Sequence, residues 1–135
     1  MAELKHPIKD AERYLDNAKK ILSEKAEKEG NYYGDKKYVR MAGHTAWNGV
    51  LVALDATLDV RSKLKRGQRP DVADYRNALY AKDKKMNTIF RSAYDGLHLA
   101  LGYDGNLNYK VAQAALEDGR LLVSWASKHY KPENV

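Results

Sequence analysis

Apolar side chains near the start of the chain recur at steps of three and four residues. These steps return to one side of an α-helix, so we predict a first helix over residues 7–29. Pro7 suits its first turn, where a missing N–H costs nothing, and Gly30-Asn31 is typical of a helix end followed by a short loop. The predicted buried stripe is Ile8, Ala11, Leu15, Ala18, Leu22 and Ala26.

A broader apolar arc runs from Asp35 to Lys65 and predicts the longest, central helix, in contact with two or three neighbours. Gly43 and Gly49 interrupt it, and each costs about 1 kcal/mol in helix propensity relative to alanine. They predict either the close approach of another helix or a kink near Gly43. The arc comprises Val39, Ala42, Ala46, Trp47, Val50, Leu51, Ala53, Leu54, Thr57, Leu58 and Val60.

Three further helices are predicted in the second half, over residues 71–81, 86–101 and 107–129. Asp71 is a predicted N-cap with Asp74 as its reciprocal acid, and the KDKK stretch at 82–85 is a connection or a bend. The fifth helix has Val111, Ala114, Ala115, Leu122, Trp125 and Ala126 as its predicted inward residues. No segment alternates with the period of a strand. The predicted fold class is all-α, an antiparallel up-and-down bundle of about five helices forming one domain over residues 1–135.

Composition narrows the classes of protein that the chain can represent. Hydrophobic residues make up 44% and charged residues 31%, which is typical of a globular domain. The absence of cysteine excludes a disulfide framework, a cysteine nucleophile and a thiolate metal site. A charged N-terminus and the lack of any long apolar run argue against a signal peptide and a membrane span. We therefore expect a soluble, cytoplasmic protein that makes no membrane contact.

A basic run, RSKLKRGQR, occupies residues 61–69 at the end of the second predicted helix. Lysine and arginine at a helix C-terminus interact favourably with the helix dipole, so a structural explanation is available. The alternative is a surface patch for anions or nucleic acid, consistent with the formal net charge of +6. Its candidate residues are Arg61, Lys63, Lys65, Arg66 and Arg69.

Arg91 and His98 lie seven positions apart in the fourth predicted helix, so an uninterrupted α-helix would project both side chains from one side. Such a pair suits RNA cleavage, because histidine transfers the 2′-hydroxyl proton and guanidinium stabilises charge on the phosphate. These two residues are the candidate catalytic pair. The structural alternative is that Arg91 pairs with Asp95, worth about 0.3–0.5 kcal/mol, while His98 lies half-buried at the bundle margin.

The sequence offers little support for a metal site or a phosphate-binding loop. His44, Asn48, Asp55 and Asp59 share the narrow polar face of the second helix, but His44 and Asp55 are about 16 Å apart along its axis. No HExxH pair or phosphate-binding glycine loop occurs. We predict no metal site and no cofactor.

Ten tyrosines against one phenylalanine is an unusual ratio. Tyrosine has an apolar body and a polar end, so it suits interfaces as well as the margins of a bundle. We therefore favour a non-catalytic module that acts by self-association as a homodimer or by binding another protein, and that leaves a tyrosine-lined face open on the monomer.

Three stretches resemble the HEPN superfamily of small helical bundles: AERYLDNAKKIL, YVRMAGHTAWNGVLVALDATL and RSAYDGLH. The resemblance is closer to uncharacterised bacterial members than to a characterised nuclease. Active members carry Arg, four to six residues and then His, and dimerise around an RNA-cleaving cleft. Arg91 and His98 match the longest of these spacings, whereas Ser92 and Ala100 depart from the nuclease pattern. The resemblance implies either an inactive adaptor or an RNA-binding or metal-independent ribonuclease protein.

Overall fold

Helices form nearly all of the regular structure in a computed structural model that describes residues 6–62 and 64–132. None of the described helices is long and apolar enough to cross a membrane. The prediction of an all-α bundle of about five helices is confirmed. The elements are α1 (Pro7–Lys25), β1 (Lys28–Glu29), β2 (Tyr32–Tyr33), α2 (Lys36–Thr57), α3 (Val72–Lys82), α4 (Lys84–Ala93), a π-helix (Tyr94–Tyr103) that continues α4, and α5 (Tyr109–His129).

Helix α2 lies at the centre, packed against α1, the π-helix and α5. All six residues of the predicted α1 stripe are buried. A Cβ on Gly43 would lie 2.7 Å from the Leu97 carbonyl oxygen and would overlap the Gly102 amide. Because α2 runs unbroken through Gly43, the glycine marks the close approach of a neighbouring helix and not a kink.

The predicted C-terminal end of α2 is wrong by eight residues, since the helix ends at Thr57 and not at Lys65. Leu58 is extended, and the Asp59 carboxylate accepts hydrogen bonds from the Ser62 amide at 3.2 Å and hydroxyl at 2.8 Å. This local turn offers the backbone an alternative to helix. The described residues of the basic run therefore lie in the loop between α2 and α3, which we call the basic loop, and the explanation by the helix dipole is wrong.

A small β-hairpin replaces the predicted end of α1 and the loop after it. Strands β1 and β2 pair antiparallel, and Gly30 opens the two-residue turn at φ 59°, as in a type II′ turn. Strands of two residues are too short to display alternation, so the period-two pattern does not detect this hairpin. The Tyr33 amide donates to Leu107 O and the Tyr109 amide to Asn31 O, both at 2.8 Å.

The predicted capping residues at Asp71 and Asp74 form a capping box, as the sequence indicates. Asp83 ends α3 and begins α4, so the KDKK stretch is a sharp bend. One Asp83 carboxylate oxygen accepts from the Met86 amide and the other from the Trp125 indole, both at 3.1 Å. The predicted face of α5 is wrong at Ala114, which is exposed; the buried residues here include Ala112, Ala115 and Leu116.

Candidate functional site

The helix that carries Arg91 and His98 changes type between them. It is α-helical to Ala93 and a π-helix from Tyr94, with a wider turn in which the hydrogen bonds span five residues. The assumption of an α-helix throughout is therefore wrong over the second half of this spacing. Arg91 is exposed and His98 is half-buried, and no hydrogen bond among the described residues joins them. Their joint catalytic role stays a prediction.

His98 lies among aromatic rings contributed by α2 and the π-helix. Its ring centroid is 5.7 Å from that of Trp47, 5.2 Å from that of Tyr94 and 6.2 Å from that of His44. Nδ1 has almost no exposed surface and no hydrogen-bond partner among the described residues. Burial lowers the pKa of His98 below its ordinary value, and His44 lowers the pKa further by charge repulsion. His98 is accordingly held in its neutral form at pH 7.

This environment is unfavourable for proton transfer. A histidine that accepts a proton on one nitrogen needs a partner for the N–H of the other, normally a carboxylate or a carbonyl. Nδ1 of His98 has no such partner in the described structure. An imidazolium here would bury an unsatisfied donor, which is costly. The position suits a packing residue better than a general base.

Arg91 lies instead in a cleft between α3, α4 and the π-helix, of about 320 Å³. Arg76 of α3 faces the same cleft, and no ion pair within 4.0 Å engages either arginine or joins Arg91 to Asp95 in the described part of the chain. The expected Arg91–Asp95 pairing is therefore absent. Sequence reasoning missed Arg76, whose only signal was its place on the exposed face of α3. The lining residues are Val72, Ala73, Arg76, Arg91, Tyr94 and Asp95.

The basic loop has one member that serves the structure. Arg61 donates to the Asp55 carboxylate at 3.1 Å, and the Tyr75 hydroxyl donates to the other oxygen of that carboxylate at 2.9 Å. Burial, followed by the hydrogen bond to Asp55, raises the pKa of Tyr75, so the phenol stays protonated. Arg61 thus ties the loop to α2 and α3.

The other candidates in the loop have no such role. Lys63 lies outside the described residues. Three side chains remain exposed, without an ion pair in the described structure, and a role for them in anion binding stays a prediction: Lys65, Arg66 and Arg69.

An exposed surface runs along the outward side of α2 between α1 and the π-helix. Tyr14 contacts Gly49 through its Cβ and borders Thr45, while His44 packs on Gly102. Tyr103 follows Gly102 directly, at the end of the π-helix. We call this surface the α2 face; its residues are Tyr14, Met41, His44, Thr45, Asn48 and Tyr103.

The polar face of α2 holds no metal-binding cluster that the described residues can support. Asp55 is engaged by Arg61 and Tyr75, and Asp59 by Ser62. No group of three or more histidine, aspartate or glutamate side chains in residues 6–62 and 64–132 could hold an ion. The expectation of no metal and no cofactor stays a prediction.

Comparison with known proteins gives a family. No curated protein matches the chain. A protein of unknown function from Dyadobacter fermentans is 41% identical, with a TM-score of 0.81 over 90% of this chain and 94% of that one. The model of DUF5618, a domain of unknown function, matches residues 6–128. These comparisons show no HEPN family. The chain belongs to the DUF5618 family.

Proposed function

We propose that this protein is a non-catalytic interaction domain whose α2 face binds a second copy of the chain. The observation that carries the proposal is the exposure of large side chains on that face. Tyr103 is 73% exposed and Met41 45% exposed. Side chains of this size, left in water, favour association because their burial removes apolar surface from water.

The composition of the α2 face supports a second copy as its partner. None of its six residues is lysine, arginine, aspartate or glutamate. A two-fold axis brings the same surface patch of both copies together, so a charged face would meet its own charge. The six side chains themselves therefore add no such repulsion to a chain with a formal net charge of +6. Tyrosine and methionine are also enriched in interfaces.

The rim of the face adds charges of both signs. Asp10 and Arg13 lie on α1 beside Tyr14 and form an exposed ion pair at 3.4 Å. Charges of opposite sign at the edge of a self-complementary surface favour register between the copies more than affinity. The buried, unpartnered Nδ1 of His98 supports the non-catalytic part of the proposal. We assign this function to the cytoplasm, in agreement with the cysteine-free composition.

Sedimentation velocity over a wide concentration range tests the proposal. The wild type is expected to pass from monomer to dimer, and Tyr103→Glu and Met41→Glu are expected to stay monomeric, since a buried unpaired charge is costly. Tyr80→Glu is the matched control, because Tyr80 is 52% exposed but lies on α3, outside the α2 face. A wild type that stays monomeric at every concentration, or equal loss in the control, would reject the proposal.

A second candidate function is an HEPN-like RNA-binding or metal-independent ribonuclease activity. The observation that favours it is the cleft in which Arg76 and Arg91 lie beside the Tyr94 ring. Guanidinium groups bind phosphates, and an aromatic ring can stack on a base. RNA cleavage in EDTA by wild type, His98→Ala and Arg91→Ala tests it. Loss of cleavage in both variants supports the activity. Equal residual cleavage in all three proteins indicates a contaminating nuclease, and only the proposal of an interaction domain then remains.

A further inference from the structure

We propose that a groove between the β-hairpin, α1 and α5 binds a small organic anion with an aromatic or apolar body. The groove has a volume of about 460 Å³, which is within the range of about 300–1,000 Å³ common for small-molecule sites. It shares no residue with the α2 face or with the Arg91 cleft. Its lining residues are Lys19, Leu22, Ser23, Lys28, Tyr33, Tyr109, Gln113 and Leu116.

The floor of the groove is apolar and partly flat. Leu22 is 2%, Tyr33 3% and Leu116 4% exposed, so these side chains form a fixed surface. The rings of Tyr33 and Tyr109 lie with centroids 6.0 Å apart and planes inclined by 48°. Two inclined aromatic rings beside leucine side chains form an apolar floor, and a planar or apolar ligand body resting on it would remove its own apolar area from water.

The rim of the groove carries positive charge only. Lys19 and Lys28 are its charged lining residues, and Ser23 and Gln113 add neutral donors. The Lys28 ammonium lies 4.4 Å from the centroid of the Tyr109 ring, a cation–π contact that holds it at the rim. A lining with two cations, two neutral donors and no carboxylate selects a negatively charged head group.

Glu117, an acid near Lys19, is already engaged. Hydrogen bonds from Arg120, at 2.8 Å from Nε and 2.6 Å from a second guanidinium nitrogen, lower the pKa of Glu117, and the charge of Lys19 lowers it slightly further. No ion pair within 4.0 Å involves Lys19 or Lys28 in the described part of the chain. Both ammonium groups therefore remain available to an anion.

The wall formed by the hairpin is held in place on both sides. Its second strand hydrogen-bonds to Leu107, and its turn accepts the amide of Tyr109, which is itself a lining residue. Glu27, at the entrance to the hairpin, adopts φ 56°, a left-handed conformation that non-glycine residues seldom take. A wall anchored in this way keeps the groove open before a ligand arrives, which lowers the entropic cost of binding.

Isothermal titration calorimetry with three probes tests the inference. The probes are 2-naphthoate, its uncharged analogue 2-naphthamide, and inorganic phosphate. We expect 2-naphthoate to bind at one site per chain, and both other probes to bind at least 10-fold more weakly, because each lacks the head group or the body. Absence of 2-naphthoate binding, or equal affinity for phosphate, would overturn the inference.

Two double variants with the same loss of charge locate the site. Lys19→Met with Lys28→Met is expected to weaken 2-naphthoate binding at least 10-fold. Lys9→Met with Lys20→Met removes two exposed lysines of α1 that do not line the groove, and it is expected to leave binding unchanged. Equal losses of affinity in the two double variants would mean that net charge alone causes the effect, and this result would overturn the inference.

Amide chemical shifts of the wild type give a reading that does not depend on the variants folding. With 2-naphthoate added, perturbations are expected to centre on Tyr33, Tyr109 and Gln113. Perturbations centred on any other surface would overturn the assignment. Because the groove shares no lining residue with the α2 face, self-association and ligand binding can fail independently of one another.

Discussion

The two sides of α2 differ in what they contact. On the inward side, Gly43 and Gly49 let the π-helix and α1 approach so closely that a single added carbon would collide with them. On the outward side, Met41 and Asn48 are exposed. Helix α2 thus has one side that packs against other helices of the chain and one side that stays exposed. The contrast teaches that small residues in a helix indicate where neighbours pack, while large exposed ones indicate where we propose that a partner binds.

Trp47 marks the border between these two sides, and its removal should have the largest effect on stability. Its ring is 5% exposed and packs on Phe90 at 5.4 Å and on Tyr94 at 5.6 Å. We expect Trp47→Ala to lower the free energy of unfolding by about 4 kcal/mol through the cavity it leaves. Urea denaturation measures this. Asn48→Ala, the next residue on the outward side, should change stability by less than about 0.5 kcal/mol; equal effects would remove the distinction.

Gly43→Ala should destabilise the inward side by about 2 kcal/mol, because the new methyl group would press on the Leu97 carbonyl and the Gly102 amide. The gain of about 1 kcal/mol in helix propensity opposes the effect only in part. Thermal unfolding followed by circular dichroism gives the result. A variant as stable as the wild type would mean that the two helices are not held at this distance.

Much of this inward packing could be predicted from the sequence. The three- and four-residue steps of α1 identified every buried residue of its stripe, and Gly43 indicated a close neighbour. The end of α2 could not be predicted, because it depends on the Asp59–Ser62 turn, which competes with an otherwise acceptable helical sequence. The π-helix was also beyond prediction, since its register differs from that of an α-helix by one residue per hydrogen bond.

The candidate sites were harder to predict because they depend on the local type of helix and on the packing of separate elements. The Arg91–His98 spacing assumed an α-helix that ends at Ala93. Arg76 reaches the Arg91 cleft through the packing of α3 on α4, a contact that no periodicity encodes. The groove at Tyr33 and Tyr109 depends on a hairpin with strands of two residues. Sites assembled from separate elements are visible only after those elements are packed.

Near the end of α2, Asp55 accepts one hydrogen bond from the buried Tyr75 and one from the exposed Arg61, and Tyr75→Phe tests the first of them. It removes the hydrogen bond from the phenol to Asp55, and we expect a loss of about 1 kcal/mol in the free energy of unfolding. Arg61→Ala removes the exposed partner of the same carboxylate and should cost less than Tyr75→Phe, because solvent screens the pair. Guanidinium denaturation of both variants measures the difference; a larger loss for Arg61→Ala would reverse the assignment.

The smallest effect that we predict is the contribution of His98 to the pH dependence of stability. Its pKa is lower in the folded chain than in the unfolded chain, where histidine titrates near about 6.5. The unfolded chain therefore binds the proton first, and the His98 contribution to stability, present above about pH 6.5, is lost as pH falls through the folded value.

Urea titrations at pH 5, 6 and 7.5 measure this contribution. We expect His98→Gln to flatten the decline between pH 7.5 and 5. His6→Gln, at an exposed position before α1, is expected to leave the decline as it is in the wild type. A decline unchanged in His98→Gln would contradict the assignment.

A distance between two copies tests the open side of α2 most directly. The chain has no cysteine, so Asn48→Cys and Asn77→Cys each accept one spin label, the first on the α2 face and the second on the exposed side of α3. Pulsed electron resonance of concentrated samples should give a short, well-defined label-to-label distance for Asn48→Cys and a longer one for Asn77→Cys. The absence of any dipolar coupling in both variants, or a shorter distance for Asn77→Cys, would contradict the account.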